Sequence, residues 1–133
     1  LAMQSLNKDS DILDYGLIHA DLITENIMHD NGALSLIDFD DCGFGFRTFE
    51  LATFLIRFID KPDYIPIRHA LIEGYSTRRK IPDVELDFFI MLRSLTYLGW
   101  IIPRMQEPGA KARSQAALQT ALPLVRAYLA EHR

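Results

Sequence analysis

Residues 19–26 read HADLITEN, and residues 37–41, a short distance along the chain, read IDFDD. The first stretch fits the pattern H-x-D-x-x-x-x-N, and the second places acidic residues directly after an apolar one. Asp21 and Asn26 stand at the two ends of one predicted loop. Asp38 follows a predicted hairpin, which can fold it back beside Asn26. The sequence therefore predicts that the side chains of Asp21, Asn26 and Asp38 lie close together.

These three groups suit phosphoryl transfer from ATP. In that reaction one carboxylate accepts the proton of the attacking hydroxyl, while an Asn and a second Asp hold magnesium ions on the phosphates. The alternative is a loop whose polar side chains only cap turns. Either stretch alone would be weak support for the chemistry, but the two together are specific and disfavour that alternative.

Residues 16–21 (GLIHAD) and 36–52 (LIDFDDCGFGFRTFELA) resemble the aminoglycoside phosphotransferase family. This family includes choline kinase-like and homoserine kinase-like enzymes and is a distant relative of protein kinases. Its usual pattern is H-G-D-x-x-x-x-N, followed by I-D-[FW]-x-D-x-G-x-G-D-P-x-x-D-L-A. The resemblance implies that Asp21 is the catalytic base and that Asn26 and Asp38 are the metal ligands that hold the Mg²⁺ of ATP.

The resemblance also implies supporting roles near these groups. His19 would brace the catalytic loop, and Asp41 would be the second Asp of the family pattern. Gly43 and Gly45 are interpreted as allowing tight turns after the metal loop, in preference to contacting phosphate.

The chain departs from the family pattern at three places. Ala20 replaces Gly, residues 46–47 (Phe-Arg) replace Asp-Pro, and Glu50 replaces Asp. None of these changes removes a reacting group. Two interpretations of Glu50 stay open: it supports the catalytic loop, or it is a carboxylate favoured by the dipole at the start of a helix.

Local patterns predict an α+β fold that is mainly helical, with a small β hairpin at the active site and about four helices. The resemblance implies that this is the C-terminal lobe of a protein-kinase-like fold. Asp30-Asn31-Gly32 predicts a hairpin turn, and Thr48 is a candidate N-cap for the first helix. The predicted strands cover residues 17–18, 26–29 and 34–37, and the predicted helices cover residues 49–59, 66–79, 82–102 and 110–132.

Composition restricts the class of protein. The chain has 133 residues, of which 49% are hydrophobic, so we expect one globular domain that buries a real core. The single cysteine, Cys42, excludes an internal disulfide framework and suits a reducing compartment. Asp87 and Arg93 interrupt the most apolar helix, so we expect no membrane span, and the cytoplasm is the expected compartment.

Charge is distributed unevenly. Residues 1–60 carry three basic and eleven acidic groups, whereas residues 61–133 carry eleven basic and seven acidic groups. In the second part, Arg68, Arg93 and Arg104 are candidates to face an acceptor pocket. A positive field there would favour a neutral or carboxylate-bearing alcohol, such as homoserine, over an aminoglycoside. The alternative is that these arginines are solvated surface.

The resemblance thus implies an ATP-dependent small-molecule phosphotransferase that acts on a hydroxyl acceptor. No glycine-rich loop precedes His19, so we expect the N-terminal nucleotide lobe to be absent from this chain and the chain alone to be inactive. An uncovered apolar surface would then favour self-association. We expect no nucleic-acid or membrane partner. The alternative function is a non-catalytic kinase-like lobe with a binding or regulatory role.

Overall fold

The computed structural model describes residues 14–81 and 83–132. The four strands are β1 (Tyr15–Ile18), β2 (Ile27–Asp30), β3 (Ala33–Leu36) and β4 (Gly43–Phe46). The four long helices are α1 (Arg47–Leu55), α2 (Tyr64–Ser76), α3 (Asp83–Ile101) and α4 (Ala110–Glu131). Single 3-10 turns cover Thr24–Asn26, Ile56–Phe58 and Ile102–Arg104. The predicted mainly helical α+β architecture with four helices is confirmed, although Pro82, the predicted start of the third helix, lies outside the described residues.

The predicted hairpin pairs β2 with β3 in antiparallel register, from Ile27 opposite Leu36 to Asp30 opposite Ala33. Its turn needs two residues in the left-handed region, and Asn31 and Gly32 have φ values of 47° and 82°. The predicted turn is therefore confirmed. At the open end of the hairpin, the Ile37 N–H donates to the Asn26 carbonyl at 3.0 Å.

A second two-stranded sheet pairs β1 with β4, and β4 was missed by the sequence interpretation. Gly43 and Gly45 lie in this strand and not in tight turns. Gly45 lies opposite Gly16, and a Cβ atom on Gly45 would stand 2.6 Å from Ile18 Cδ1. A larger residue at position 45 would therefore require the Ile18 side chain to shift, because this side chain packs directly against the Gly45 backbone.

Arg47, the departure from the family proline, joins the start of β1 to the start of α1. Its guanidinium ion-pairs with Asp14 and hydrogen-bonds to the Tyr15 carbonyl at 3.2 Å. The same guanidinium occupies the space in which a Cβ atom of Gly16 would lie. A proline could make none of these contacts, so the replacement adds a tie between the sheet and the helix.

The first helix begins at Arg47, two residues earlier than predicted. Phe46 precedes the helix, so Thr48 lies inside its first turn and is not the N-cap. The buried Thr48 hydroxyl donates instead to the Glu85 carboxylate of α3 at 2.5 Å. The regular helix ends at Leu55 and not at residue 59, because the chain tightens into the 3-10 turn that follows.

The core forms where α1 and α4 pack on α3. Phe89 is fully buried, and its ring contacts those of Phe46, Phe49 and Phe88 at centroid distances of 5.3–6.3 Å. Leu55 is likewise fully buried on α1. Helix α3 is thus the central element against which the other helices pack.

The segment Glu85–Arg104 is long and apolar enough, by length and composition, to cross a membrane. We expected that Asp87 and Arg93 would leave no segment able to span a membrane. By length and composition, that expectation is wrong. In the structure, Leu86, Phe89 and Ile90 of this segment are buried in the protein core. Core packing accounts for part of its apolar character, while Leu95, Trp100 and Ile102 of the same segment are exposed.

Replacing Phe89 with alanine tests the assignment of the core. Phe89→Ala should lower the free energy of unfolding by about 3–5 kcal/mol, because it leaves a cavity among three other aromatic rings. Chemical denaturation followed by circular dichroism measures the change. Leu129→Ala, at a half-exposed position on α4, is the control and should change the free energy by less than about 1 kcal/mol. Equal losses in the two variants would contradict the assignment.

Candidate active site

The loop between β1 and β2 is closed by the Asn26 side chain. Asn26 is buried, and its Nδ2 donates to the backbone carbonyl of Asp21 at 2.9 Å. The same Nδ2 lies 3.3 Å from Oδ2 of the Asp21 carboxylate. Asp21 and Asn26, at the two ends of the predicted loop, are therefore in direct contact, as the sequence predicted.

His19 connects this loop to the segment that carries Asp38. Its Nε2 lies 2.8 Å from the Ile37 carbonyl oxygen, and its ring packs on Phe39 with centroids 4.5 Å apart. The imidazole is 5% exposed and therefore sits away from solvent. These contacts suit a residue that braces the loop, which is the predicted role, rather than one that exchanges protons with a substrate.

Ala20 has a left-handed backbone with φ of 68°. Its N–H donates to Oε2 of Glu50 at 3.0 Å, so a side chain from α1 holds the backbone of the catalytic loop. Of the two interpretations of Glu50, this contact favours support of the loop. The left-handed backbone of Ala20 also explains why the family pattern has glycine at this position, because residues with a Cβ atom adopt this conformation at a cost in free energy.

A backbone hydrogen bond places Asp38 near Asn26. The N–H of the preceding residue, Ile37, donates to the Asn26 carbonyl. Asp38 is exposed and also has a left-handed φ, 63°. A turn follows, in which the Cys42 N–H donates to the Phe39 carbonyl at 3.1 Å. The fold therefore brings the side chains of Asp21 and Asn26 and the backbone next to Asp38 together, although Asp21 and Asp38 are seventeen residues apart in the chain.

The donor atoms at this position fit a hard divalent cation. Asn26 uses its Nδ2 to hold Asp21, which leaves its amide oxygen as the atom able to bind a cation. Across residues 14–81 and 83–132, no group hydrogen-bonds or ion-pairs with the Asp38 carboxylate. Oxygen ligands of these two types suit Mg²⁺ or Ca²⁺. The same ranges hold no cluster of three or more His, Cys, Asp or Glu placed for a metal ion, so any other ligands would come from phosphates or water.

A cavity of about 780 Å³ opens beside the catalytic loop. The loop, α1, α3 and α4 form its walls, and Asp21 and Asp41 both face it. The lining includes three arginines, Arg57, Arg93 and Arg113. A cavity of this volume is large enough for a small organic molecule, and Asp21 stands at its edge.

The charge argument identified only one of the lining arginines. Arg93 faces the cavity, but Arg68 ion-pairs with Asp87 and Arg104 lies over the Trp100 ring, 4.1 Å from its centroid; neither belongs to the lining. The net charge of a segment could not distinguish Arg93 from Arg68 and Arg104, because it does not say in which direction a side chain points. Arg57 could have been found from the sequence, since Glu50, Thr53 and Arg57 form one polar stripe at helical spacing on an otherwise apolar helix.

The charges of Arg93 and of the candidate base, Asp21, interact. Burial lowers the pKa of the Arg93 guanidinium, and the nearby Asp21 carboxylate acts in the opposite direction. An arginine in a protein still keeps its charge, so a cation and an anion face the same cavity.

The loop of residues 19–26 connects two antiparallel two-stranded sheets, and the four helices complete the lobe. Solved kinases share this fold. The structure of the microcompartment-associated aminopropanol kinase aligns over 97% of this chain and 46% of its own, with a TM-score of 0.76 and 26% identity. An amicoumacin kinase, solved with AMP-PNP and Ca²⁺, aligns over 89% of this chain and 42% of its own, with a TM-score of 0.65 and 21% identity, which shows the fold alone.

Residues 4–86 match the model of the phosphotransferase enzyme family, and the chain belongs to that family. Homoserine kinase from Bartonella tribocorum is 31% identical over 99 residues, which are 71% of this chain and 31% of the relative. An uncharacterized protein from Deinococcus radiodurans is 28% identical over 107 residues, which are 74% of this chain and 31% of the relative. The chain thus spans about a third of the length of these curated relatives, and the predicted resemblance is confirmed.

The backbone at position 20 gives a test of the loop. Ala20→Gly should raise the free energy of unfolding by about 1 kcal/mol, because glycine adopts a positive φ without the strain of a Cβ atom. Urea denaturation measures the change. Ala127→Gly, in the interior of α4, is the matched control and should instead lose about 0.5–1 kcal/mol. A loss of stability in both variants would contradict the assigned conformation.

Proposed function

We propose that this chain is the catalytic-loop lobe of an ATP-dependent phosphotransferase that acts on a hydroxyl group of a small molecule. The observation that carries the proposal is the position of Asp21. This carboxylate faces the cavity of about 780 Å³ on one side and contacts Asn26 on the other. A hydroxyl compound in the cavity would therefore contact the proposed base next to Asn26, the first of the proposed metal ligands.

In the proposed mechanism, Asp21 orients the acceptor hydroxyl and takes its proton. Asn26 engages Oδ2 of Asp21, so Oδ1 is the oxygen that would meet the hydroxyl. The loop is held from three directions, by Asn26, by His19 and by Glu50. Such rigid placement is what phosphoryl transfer requires, because most of its rate comes from positioning and charge stabilisation.

Asn26 and Asp38 are the proposed ligands of Mg²⁺. When bound, the ion would neutralise charge on the phosphates of ATP. The amide oxygen of Asn26 and the unpaired carboxylate of Asp38 support this assignment, and the amicoumacin kinase with the same fold was solved with AMP-PNP and a divalent cation.

The proposal also includes a nucleotide-binding lobe beyond this chain, which covers at most 46% of the two solved kinases. The surface of β1, β3 and the segment that follows β3 exposes large apolar side chains, among them Leu17, Leu36 and Phe39. These three line a shallow apolar depression of about 290 Å³ next to His19. We propose that the second lobe and the nucleotide cover this surface, and that the chain alone is inactive.

Asp21→Asn in the full-length protein tests the proposed base. The substitution removes the proton acceptor but keeps the shape of the side chain, so turnover should fall by on the order of 10²- to 10⁴-fold with little change in thermal stability. Steady-state phosphorylation kinetics measure the effect. Asp30→Asn, at the exposed end of β2, makes the same chemical change away from the cavity and serves as the control. Turnover within a few-fold of the parent would exclude Asp21 as the base.

Asp38→Ala tests the proposed metal ligand. Loss of one carboxylate should raise the Mg²⁺ concentration needed for half-maximal turnover by at least about tenfold, because a hard cation loses an anionic ligand. Titration of activity with Mg²⁺ at fixed ATP measures the shift. Asp40→Ala is the matched control, since Asp40 is an exposed neighbour two residues away. Overlaying titrations for Asp38→Ala and the parent would rule out this role.

A further inference from the structure

The three arginines that line the cavity differ in their partners. Arg57 ion-pairs with Glu25 at 2.6 Å, and Arg113 ion-pairs with Glu107 at 2.8 Å. Arg93 has no carboxylate within ion-pair distance in the described part of the chain. The Asp21 carboxylate acts on this guanidinium electrostatically but forms no ion pair with it. A partly buried guanidinium without an anion in direct contact is costly, so such a group is uncommon unless an anion binds there.

The protein holds the Arg93 guanidinium in place through neutral hydroxyl groups. Nε donates to Thr53 Oγ1 at 3.2 Å, and Nη1 donates to Thr96 Oγ1 at 3.4 Å. Thr53 is itself fully buried and donates to the Phe49 carbonyl at 2.9 Å. These contacts orient the fork of donors without neutralising its charge, and Nη2 keeps its donors for another partner.

We infer that Arg93 is the anion-binding residue of the acceptor cavity, and that the acceptor is a small hydroxyl compound carrying a carboxylate. This inference rests on the proposed function of the same site. In the bound acceptor, the hydroxyl meets Asp21 while the carboxylate receives paired hydrogen bonds from the guanidinium fork of Arg93.

The charges in the cavity favour a singly charged anion. Asp21 and Asp41 also face the cavity, and they would repel a doubly charged phosphate ester. A single unpaired guanidinium matches a single negative charge. A carboxylate therefore fits the cavity better than a second phosphate group does.

A cationic acceptor fits poorly, although aromatic rings stand at the cavity. Tyr97 and Trp100 are stacked with centroids 5.7 Å apart, an arrangement that could hold a quaternary ammonium group. The Arg104 guanidinium already lies over the Trp100 ring at 4.1 Å, and Arg93 adds an unpaired positive charge. Choline-like cations and polycationic aminoglycosides would meet repulsion from both.

Pairs of acceptors that differ only in a carboxylate test the inference. L-homoserine is paired with 3-aminopropan-1-ol, and 4-hydroxybutyrate is paired with propan-1-ol; choline and kanamycin represent cationic acceptors. The full-length parent should prefer the acid of a pair by on the order of 10- to 100-fold in kcat/KM, because the charged hydrogen bonds are lost with the carboxylate. Arg93→Gln should abolish the preference, mainly by raising KM for the acid, and should lower kcat/KM for the acid more than for the uncharged or amino alcohol.

Two further variants separate a binding role from a structural one. Arg93→Lys keeps the charge but not the fork, and should restore part of the preference. Arg126→Gln makes the same charge change at an exposed position on α4 outside the cavity, and should behave as the parent. A preference for choline, kanamycin or the decarboxylated partner would overturn the inference, and so would an acid preference that persists in Arg93→Gln. Neither result would contradict the proposed phosphotransferase function.

If no acceptor is phosphorylated, calorimetric titration distinguishes the two proposals. The parent and Arg93→Gln are titrated with L-homoserine and with 4-hydroxybutyrate, in the presence of AMP-PNP and Mg²⁺. Acid binding that is lost in Arg93→Gln would support the anion site and overturn the proposed function. Absence of acid binding to the parent would overturn the anion site itself.

Discussion

The hydrogen bonds from the Asn26 side chain to Asp21 are the contact on which the rest of the site depends. The Asn26 amide nitrogen lies 2.9 Å from the backbone oxygen of Asp21 and 3.3 Å from its carboxylate, and so closes the loop from Asp21 to Asn26. The Asn26 carbonyl meanwhile receives the N–H of Ile37, which places Asp38 alongside. A buried amide with partners on both sides is therefore the point at which the candidate base and the candidate metal ligands meet.

The surrounding protein makes this arrangement rigid. Glu50 reaches from α1 to the N–H of Ala20, and His19 reaches to the carbonyl of Ile37. Helix α1 in turn packs on α3, which carries the fully buried Phe89. Precision at the loop thus derives from the hydrophobic core, since the residue that holds the loop backbone belongs to a helix that the core fixes.

The cavity beside the loop differs in character from the face that carries Leu17 and Phe39. That face is apolar and exposed, whereas the cavity contains two carboxylates and three arginines. Of these arginines, Arg93 is oriented by two threonine hydroxyls and not by an acid. The structure therefore separates an exposed apolar surface from a polar cavity lined by charges of both signs.

The sequence by itself determined the loop that joins Asp21 to Asn26, the hairpin turn at Asn31-Gly32 and the four helices, because these depend on neighbouring residues and on helical periodicity. It did not determine strand β4, since its glycines read as turns until Ile18 of another strand is seen to pack on Gly45. Nor did it determine which arginines face the cavity. Orientation and pairing depend on how α1, α3 and α4 pack together, and only the tertiary structure decides contacts between residues so distant along the chain.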